Sequence, residues 1–396
     1  MSAALLAPAD EAGVAAAVAA AAAAREPLAI EGCGTKRALL RPVQAARTLS
    51  TRNLTGITLY RPTELVISAR AGTPLPEIEA TLAEGGQMLA PEPPDTRAIF
   101  GGDVPATIGG IVAANLSGPR RITVGAMRDH LLGIRFVNGA GEVVRSGGRV
   151  LKNVTGLDLC KLLAGSHGTL GVITEVTLKV LPRPETSATL AIRVPDIAAG
   201  VRALSAGLGS PYGVTGAALL PAGYGSLAGP VALLRIEDFA TSVAYRCGRL
   251  AEDLAPHGEA RLLEAAESVP LWTAIRDATP LGAEEGEAVW RVSVRPSAAP
   301  AVVAAATAQG GRCLLDWGGG LVWIAGPASG AAHAAVMAAA GAARGTFTLF
   351  RAPEPLRAAV AVLPEEPPAL VAIGARVKAA LDPAGVFNPG RMRAGL

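Results

Sequence analysis

The stretch FGGDVPATIGGIVAANLSGPRR (100–121) places five glycines beside apolar residues that are typical of a protein core. Glycine weakens both helices and strands, so a cluster of this density requires a reason in the backbone. Main chain without side chains can lie directly against a ligand, and the exposed N–H groups of such loops attract anions. The stretch therefore predicts a site where a large anionic ligand contacts the main chain.

Similar glycine segments recur along the first half of the chain, next to predicted strands. They are EGCGT (31–35), AGT (71–73), FGGD (100–103), TIGG (107–110), LSG (116–118), VG (124–125) and LAGSHGTLGVITE (163–175). Together they favour a ligand that contains a pyrophosphate, although each alone is a weak signal because most G-x-G sequences are only turns. The Rossmann dinucleotide fingerprint is absent, since GSHGTLG (165–171) leads into a predicted strand and not into a helix.

Composition excludes several classes of protein. The chain has 396 residues, half of them hydrophobic, which is enough for two domains with cores of their own. The formal net charge is only +3 and the basic residues are spread along the chain, which argues against nucleic-acid binding. The cysteines form no C-x-x-C pair, so the sequence predicts no zinc site, no iron–sulfur site and no disulfide framework. This cysteine usage is typical of a protein in the reducing cytoplasm. The cysteines are Cys33, Cys160, Cys247 and Cys313.

Hydrophobic periodicity predicts two different halves. The Ala-rich run 12–24 predicts a helix capped by Asp10, too short and too weakly apolar to span a bilayer. Strands followed by a helix are predicted across 28–89, and the NGAG turn predicts a hairpin within 131–148. Pro182 and Pro184 mark a domain boundary, after which strands and Ala-rich helices predict a separate α+β domain.

The order of these motifs resembles that of the vanillyl-alcohol-oxidase-type, or PCMH-type, FAD-binding proteins. The resemblance is dense across residues 28–184, weak across 185–345, and returns in LDPAGVFNPGRM (381–392). The forms LSGPRR (116–121) and VLKNVTGLDL (150–159) are similar to the GlcE branch, the FAD-binding subunits of bacterial glycolate oxidase. This implies an α+β, two-subdomain FAD-binding fold at 1–184, a smaller α+β cap-like domain at 185–345, and a C-terminal segment 346–396 that returns to the FAD domain.

The resemblance also implies which residues contact a noncovalently bound FAD. By this resemblance, the first pyrophosphate loop contains Gly32, Gly34 and Thr35. The second loop, which passes under the flavin, contains Gly101, Gly102, Thr107, Gly109 and Gly110, and its continuation contains Asn115, Ser117 and Gly118. The region beside adenine and ribose contains Gly168, Gly171 and Ile173, and the C-terminal return contains Asn388. Cys33 stands where the family more often has glycine. We interpret it as a small buried substitute and not as a flavin attachment site.

Residues that would oxidise a substrate are harder to find. Hydroxy-acid dehydrogenases of this superfamily use paired histidines, a metal or a base, and arginines that hold a carboxylate. The four histidines here are not paired at ligand spacing, so neither a metal site nor a catalytic residue is predicted. They are His130, His167, His257 and His333. His167 is interpreted as a loop residue and not a base.

Several charged residues keep two interpretations. Arg120, Arg121 and Arg128 flank the glycine loops and either face a carboxylate or phosphate, or are solvated loop residues. Lys152 and Asp158 keep the same two interpretations. Their motif implies structural support near the flavin, and Asp158 is equally well placed to cap the helix that follows.

Three functions follow from the resemblance and its gaps. The first is a subunit of a glycolate oxidase complex, which oxidises glycolate, a small 2-hydroxy acid, to glyoxylate and passes electrons from flavin to an iron–sulfur partner subunit beside a larger FAD subunit. A cytoplasmic location is expected, with membrane contact only through partners. The second is a self-sufficient FAD-dependent 2-hydroxy-acid dehydrogenase, for example for D-lactate. The third is a structural subunit that has lost FAD.

Overall fold

The computed structural model describes residues 4–148 and 157–395, which divide into two compact units. The first unit comprises Met1–Ser117, Gly125–Arg183 and Glu365–Leu396, and the second comprises Gly118–Val124 and Pro184–Pro364. The change of unit at Arg183 coincides with the proline pair. The second unit extends past residue 345 because a strand at 346–351 joins its sheet. Lys152 lies outside the described residues.

The first unit contains two main sheets and one small one. The strands are β1 Ala4–Leu6, β2 Leu28–Glu31, β3 Arg47–Ser50, β4 Ile57–Arg61, β5 Val66–Arg70, β6 Gln87–Met88, β7 Leu131–Val137, β8 Val143–Gly147, β9 Val172–Lys179 and β10 Leu181–Pro182. In the order in which neighbours pair, β1-β3-β2 form a parallel sheet and β4-β5-β9-β7-β8 form an antiparallel sheet. The small sheet is the antiparallel pair of β6 and β10.

Short helices connect these strands. The α-helices of the first unit are Glu11–Ala24, Leu75–Glu84, Arg97–Phe100, Ile108–Ala114, Leu159–Leu163 and Pro368–Leu381, with 3₁₀ turns at Pro62–Glu64 and Met127–His130. Asp10 caps the first helix by accepting a 2.8 Å hydrogen bond from the Gly13 N–H, as its sequence predicts. Asp158 accepts from the Lys161 N–H at 3.1 Å, which favours the capping role for this residue.

Two hydrophobic cores underlie the sheets of the first unit. Val18, Leu49 and Phe387 belong to the core beside the parallel strands. Ile78 and Phe136 belong to the core of the five-stranded sheet. This pair of cores matches the two-subdomain architecture implied by the resemblance.

The second unit is built on one eight-stranded antiparallel sheet. The strands of this unit are β11 Thr186–Arg193, β12 Gly216–Leu220, β13 Gly223–Tyr224, β14 Leu227–Ala228, β15 Val231–Asp238, β16 Ala260–Leu263, β17 Ala288–Ser293, β18 Arg312–Asp316, β19 Leu321–Gly326 and β20 Thr346–Arg351. The order of strands in the large sheet of this unit is β16-β11-β15-β12-β18-β19-β17-β20. Its α-helices are Arg121–Val124, Ile197–Leu208, Ala240–Leu254, Ala265–Arg276, Ala299–Thr307, Gly330–Ala342 and Glu354–Ala359; its 3₁₀ turns are Ala255–His257, Thr279–Leu281, Pro296–Ala298 and Trp317–Gly319.

Alternation along β17 separates the two faces of this sheet. The Trp290 indole donates to His333 Nδ1 at 3.0 Å, so this side chain faces the helix Gly330–Ala342. The next residue, Arg291, points to the opposite face together with Trp323, with which it pairs in register on β19.

Candidate functional site

Three glycine-containing segments of the first unit meet around Lys36. A Cβ at Gly32 would lie 2.2 Å from Thr107 Oγ1, so the first glycine loop packs directly on the second. The Lys36 ammonium is 3.7 Å from the position of a Cβ at Gly110. Arg391, after the C-terminal NPG, donates to the Lys36 carbonyl at 2.7 Å. Segments 31–36, 107–110 and 388–391, which are distant in sequence, therefore form one site.

Close packing of backbone explains why the second loop contains glycine. Thr107 caps the helix Ile108–Ala114, with its hydroxyl 3.4 Å from the Gly110 N–H. The Gly109 N–H donates to the Ala71 carbonyl at 2.9 Å, and a Cβ at Gly109 would lie 2.6 Å from Ala71 Cβ. A side chain at Gly32 or Gly109 would therefore push these segments apart.

Other glycines of the loops are required by backbone conformation and not by packing. Gly101 and Gly102 have φ of +73° and +84°, and a Cβ on either would meet no atom within 4 Å. Gly34 has φ of +75° and precedes Thr35, whose hydroxyl accepts from the Lys36 ammonium at 3.2 Å. The left-handed region favours glycine at all three positions, and open space beside two of them leaves the main chain accessible to a ligand.

Asn388 holds the C-terminal segment against the first loop. Its side-chain oxygen accepts from the Ile30 N–H at 2.8 Å and its amide group donates to the His167 carbonyl at 2.8 Å. Its own N–H donates to the Leu28 carbonyl at 3.0 Å. A Cβ at Gly168 would lie 2.8 Å from the Asn388 amide nitrogen. Asn388 is 2% exposed, so these hydrogen bonds make it a buried clamp between the segment 165–168 and β2.

The charges at this site are mostly positive. Burial lowers the pKa of Lys36 to about 8, against the opposing effect of the Asp95 carboxylate. Burial and then the charges of Arg391 and Lys36 lower the pKa of His167 to about 3, so this imidazole is neutral at pH 7. A lysine that loses hydration beside an arginine suits a bound anion, because the anion would compensate the lost solvation. Lys36 and Arg391 were missed in the sequence; each directly follows a motif, EGCGT or NPG, which was the available signal.

Asn115 and Ser117 serve the backbone of the first unit. Asn115 ends the helix Ile108–Ala114 with φ of +49°, and its side-chain oxygen accepts from the Arg128 N–H at 3.0 Å. The Ser117 hydroxyl accepts from the Met127 N–H at 2.9 Å. These bonds tie together the two ends of the segment 118–124. Gly118, the next predicted site residue, belongs to the second unit.

Gly171 and Ile173 lie in the packing of the five-stranded sheet. A Cβ at Gly171 would lie 2.7 Å from the Phe136 ring. The Ile173 side chain is 6% exposed and belongs to the core of this sheet. Any contact with a ligand would come from the backbone of this segment and not from the Ile173 side chain.

Cys33 is half-buried and not fully buried as the sequence suggested. It is a free thiol within the first loop. Among the residues that the structure describes, no group of three or more His, Cys, Asp or Glu could hold a metal ion. No helix in the described ranges is long and apolar enough to cross a membrane.

Arginines of the second unit form a polar cluster on one face of its sheet. Arg120 binds the Glu237 carboxylate with two hydrogen bonds of 2.8 and 2.6 Å. Arg235 lies 3.2 Å from the same carboxylate and stacks on Trp272. Although burial raises the pKa of Glu237, these arginines hold it below its ordinary value. Arg120 therefore faces a protein carboxylate, whereas Arg128 in the first unit is about half exposed.

Comparisons with known proteins identify the family. A family model described as an FAD binding domain matches residues 2–147. The chain is 38% identical over 379 residues to the glycolate oxidase subunit GlcE of Escherichia coli (strain K12), and the match covers 94% of each chain. This chain belongs to the GlcE family. Its FAD-binding domain, its PCMH-type fold and its membership of the FAD-dependent oxidoreductases, all predicted from the motifs, are thereby confirmed.

Two other relatives of this GlcE-family chain match about a third of its length. The glycolate oxidase subunit GlcD of Bacillus subtilis (strain 168) is 38% identical over 34% of this chain and 27% of GlcD. A D-lactate dehydrogenase of Anaerostipes hadrus is 35% identical over 34% of this chain and 26% of that enzyme. An alkyldihydroxyacetonephosphate synthase structure covers 97% of this chain and 76% of its own, with a TM-score of 0.68 and 18% identity, which supports the fold only.

Proposed function

We propose that this chain is the FAD-binding subunit of a glycolate oxidase complex and holds its FAD noncovalently. The observation that carries the proposal is the match to GlcE along almost the whole length of both chains. Its expected partners are a larger FAD subunit and an iron–sulfur subunit. The complex would oxidise a 2-hydroxy acid to a 2-oxo acid, with the electrons leaving the flavin for the iron–sulfur partner.

The residues around Lys36 fit a dinucleotide with a diphosphate. Gly32 and Gly109 let the glycine segments pack directly on one another, while Gly101 and Gly102 leave their main chain open. The Lys36 ammonium provides positive charge beside these loops. Bound there, FAD would supply the two-electron acceptor that alcohol oxidation requires.

Each part of the chain would have a separate task in this site. The loops 32–35 and 101–110 would position the diphosphate and the flavin through their backbone. Asn388 would keep the C-terminal segment against β2, and the neutral His167 would add no charge at pH 7. Covalent attachment through Cys33 is the alternative, because this half-buried thiol lies within the first loop.

The test is the visible absorption spectrum of the chain purified alone, taken before and after denaturation and removal of the protein. We expect a flavin spectrum that passes entirely into the protein-free fraction. Flavin that stays with the denatured polypeptide would overturn the noncovalent assignment, and Cys33→Ser would then identify the attachment point. A colourless chain that takes up no added FAD would favour the structural-subunit alternative.

The assignment to a complex requires a second measurement. The chain alone, loaded with FAD, is assayed with glycolate and D-lactate and an artificial electron acceptor, and then again with co-expressed partner subunits. We expect turnover of glycolate only in the presence of partners. Full turnover by the chain alone would instead support a self-sufficient dehydrogenase.

A further inference from the structure

Arg291 has an unusual environment in the middle of β17. Its Nε and Nη2 atoms are shielded from solvent and have no hydrogen-bond partner among the described residues. Guanidinium groups in protein interiors normally find acceptors, because an unpaired buried donor costs free energy that a partner would recover. The structure therefore retains a cation with two buried donor atoms, Nε and Nη2, that no acceptor of the described residues uses.

The two atoms concerned define one edge of the guanidinium. In the same unit, Arg120 uses this edge, Nε and Nη2, to bind both oxygens of the Glu237 carboxylate at 2.8 and 2.6 Å. Arg276 uses the same edge for Asp277, at 2.7 and 3.0 Å. The edge matches the spacing of the two oxygens of a carboxylate. Arg291 thus presents a carboxylate-binding edge without a protein carboxylate on it.

Aromatic and cationic groups surround Arg291. Its guanidinium carbon is 4.8 Å from the centre of the Trp317 ring and 5.6 Å from that of Trp323. The guanidinium of Arg121 stacks on the same Trp317 ring at 4.7 Å. The nearby Asp316 carboxylate accepts from the Trp317 N–H at 2.7 Å. A second positive charge beside the first makes this cluster more attractive to an anion.

Trp317 is held in place to support this cluster. Its indole donates to the Gly118 carbonyl at 3.1 Å, and its backbone has φ of +55°, which is rare for a bulky residue. Burial and the Arg121 charge also lower the pKa of Arg291 to about 10, so the group remains charged at pH 7. The protein keeps a charged and desolvated guanidinium in an environment that favours its loss of charge.

We propose that Arg291, with Arg121 and the Trp317 and Trp323 rings, forms a binding site for a small carboxylate in the second unit. Nε and Nη2 of Arg291 donate to the two carboxylate oxygens beside the two indole rings. The site itself rests on the geometry of the second unit. Identification of its ligand with the 2-hydroxy acid, or its 2-oxo product, rests on the proposed function.

The experiment is a titration of intrinsic tryptophan fluorescence in the full chain with glycolate, acetate, inorganic phosphate and chloride at constant ionic strength. Two of the four tryptophans line the site. We expect saturable changes with the carboxylates, and Arg291→Gln should raise the glycolate dissociation constant at least about tenfold, because a charge-assisted bidentate pair is lost. Arg193→Gln, at an exposed arginine on β11 of the same unit, is the matched control and should bind as the wild type.

Two results would overturn the assignment. One is an equal response to chloride or phosphate, which would mean a nonspecific anion effect. The other is unchanged glycolate affinity in Arg291→Gln.

A stability measurement keeps the proposal testable if the glutamine variant folds poorly. Arg291→Met removes an unpaired buried charge and preserves a long side chain on the indole rings, so its thermal midpoint without ligand should equal or exceed that of the wild type. Glycolate should raise the midpoint of the wild type and not of the variant. A lower midpoint in Arg291→Met, with no effect of glycolate on either protein, would show that Arg291 only supports the stack of rings.

These outcomes are separable from those of the proposed function. A chain that binds glycolate but no FAD would contradict the flavoprotein assignment and retain the carboxylate site. A chain that holds FAD but binds no carboxylate would contradict the carboxylate site and retain the flavoprotein assignment.

Discussion

Lys36 is the residue on which the electrostatics of the glycine loops depend. Its ammonium lies beside Gly110 and Arg391, and the charge that does most to raise its pKa is the Asp95 carboxylate. Partial desolvation places its pKa at about 8, close to physiological pH. Small changes in pH therefore alter the charge that this site presents to an anion.

The charge of Lys36 predicts the pH dependence of FAD affinity. Below about pH 8 the ammonium is protonated and attracts a diphosphate; above it, the amine is neutral and the attraction is lost. Affinity measured by quenching of flavin fluorescence should therefore fall as the pH rises from 7 to 9. Lys36→Met should weaken binding at pH 7 by about tenfold, the effect of one hydrogen bond to a charged group, and flatten the pH profile.

Lys179→Met provides the matched control, because Lys179 lies on β9 of the same unit and takes no part in the glycine loops. If both variants keep the affinity and pH profile of the wild type, Lys36 does not contact the dinucleotide.

Arg291 illustrates what residue patterns do not reveal. In the sequence it is one arginine within AVWRVS (288–293), a normal outward position of a strand. Its significance depends on Trp317 and Arg121, which only the fold brings near it. Arg121 itself was open to two interpretations because nothing local distinguishes a solvated arginine from one stacked on an indole.

At the scale of elements, periodicity predicted strands and hairpins well and glycine-rich helices poorly. The hairpin β7–β8 and the strand β9 follow from alternation and turn chemistry that are local. The helix Ile108–Ala114 was not predicted, because its two glycines lower helix propensity. Thr107 at its start and the Ala71 carbonyl, both supplied by the fold, stabilise it.

That helix permits a comparison between adjacent glycines. Gly109→Ala should lower the thermal midpoint and FAD retention, because the new Cβ would lie 2.6 Å from Ala71 Cβ; overpacking of this kind costs about 1–3 kcal/mol. Gly110→Ala should leave the apo protein as stable as the wild type or more so, since its nearest contact is 3.4 Å and alanine favours helix. Differential scanning fluorimetry of both apo variants provides the measurement. Equal midpoints for the two variants would contradict the packing role of Gly109.

At the scale of the whole molecule, the two units have separate spectroscopic reporters. All four tryptophans belong to the second unit. The match to the FAD binding domain, residues 2–147, lies mostly in the first unit. Tryptophan emission therefore follows the second unit, and flavin content follows the first. Damage to one unit can be observed without relying on the other.

Asn388→Ala tests this separation. The substitution leaves the part-buried Ile30 N–H and His167 carbonyl without the partner that they have in the wild type, which costs up to about 1–3 kcal/mol for each group. We expect loss of most bound flavin with little change in tryptophan emission. Asn53→Ala, which removes an exposed hydrogen bond to the Ala7 carbonyl, should affect neither. A simultaneous shift of tryptophan emission in Asn388→Ala would mean that the units unfold as one.

The clamp formed by Asn388 also has a consequence for biosynthesis. The residues that it joins, Ile30 and Asn388, are 358 positions apart, and Phe387 forms a parallel bridge with Leu28. Domains fold as units while the ribosome extends the chain, so the core beside the parallel sheet of the first unit waits for translation of residues 386–388, after the complete second unit. During this interval the nascent first unit exposes apolar surface that Val386 and Phe387 later cover. The segment that contains Val386, Phe387 and Asn388 thus determines when the first unit becomes complete.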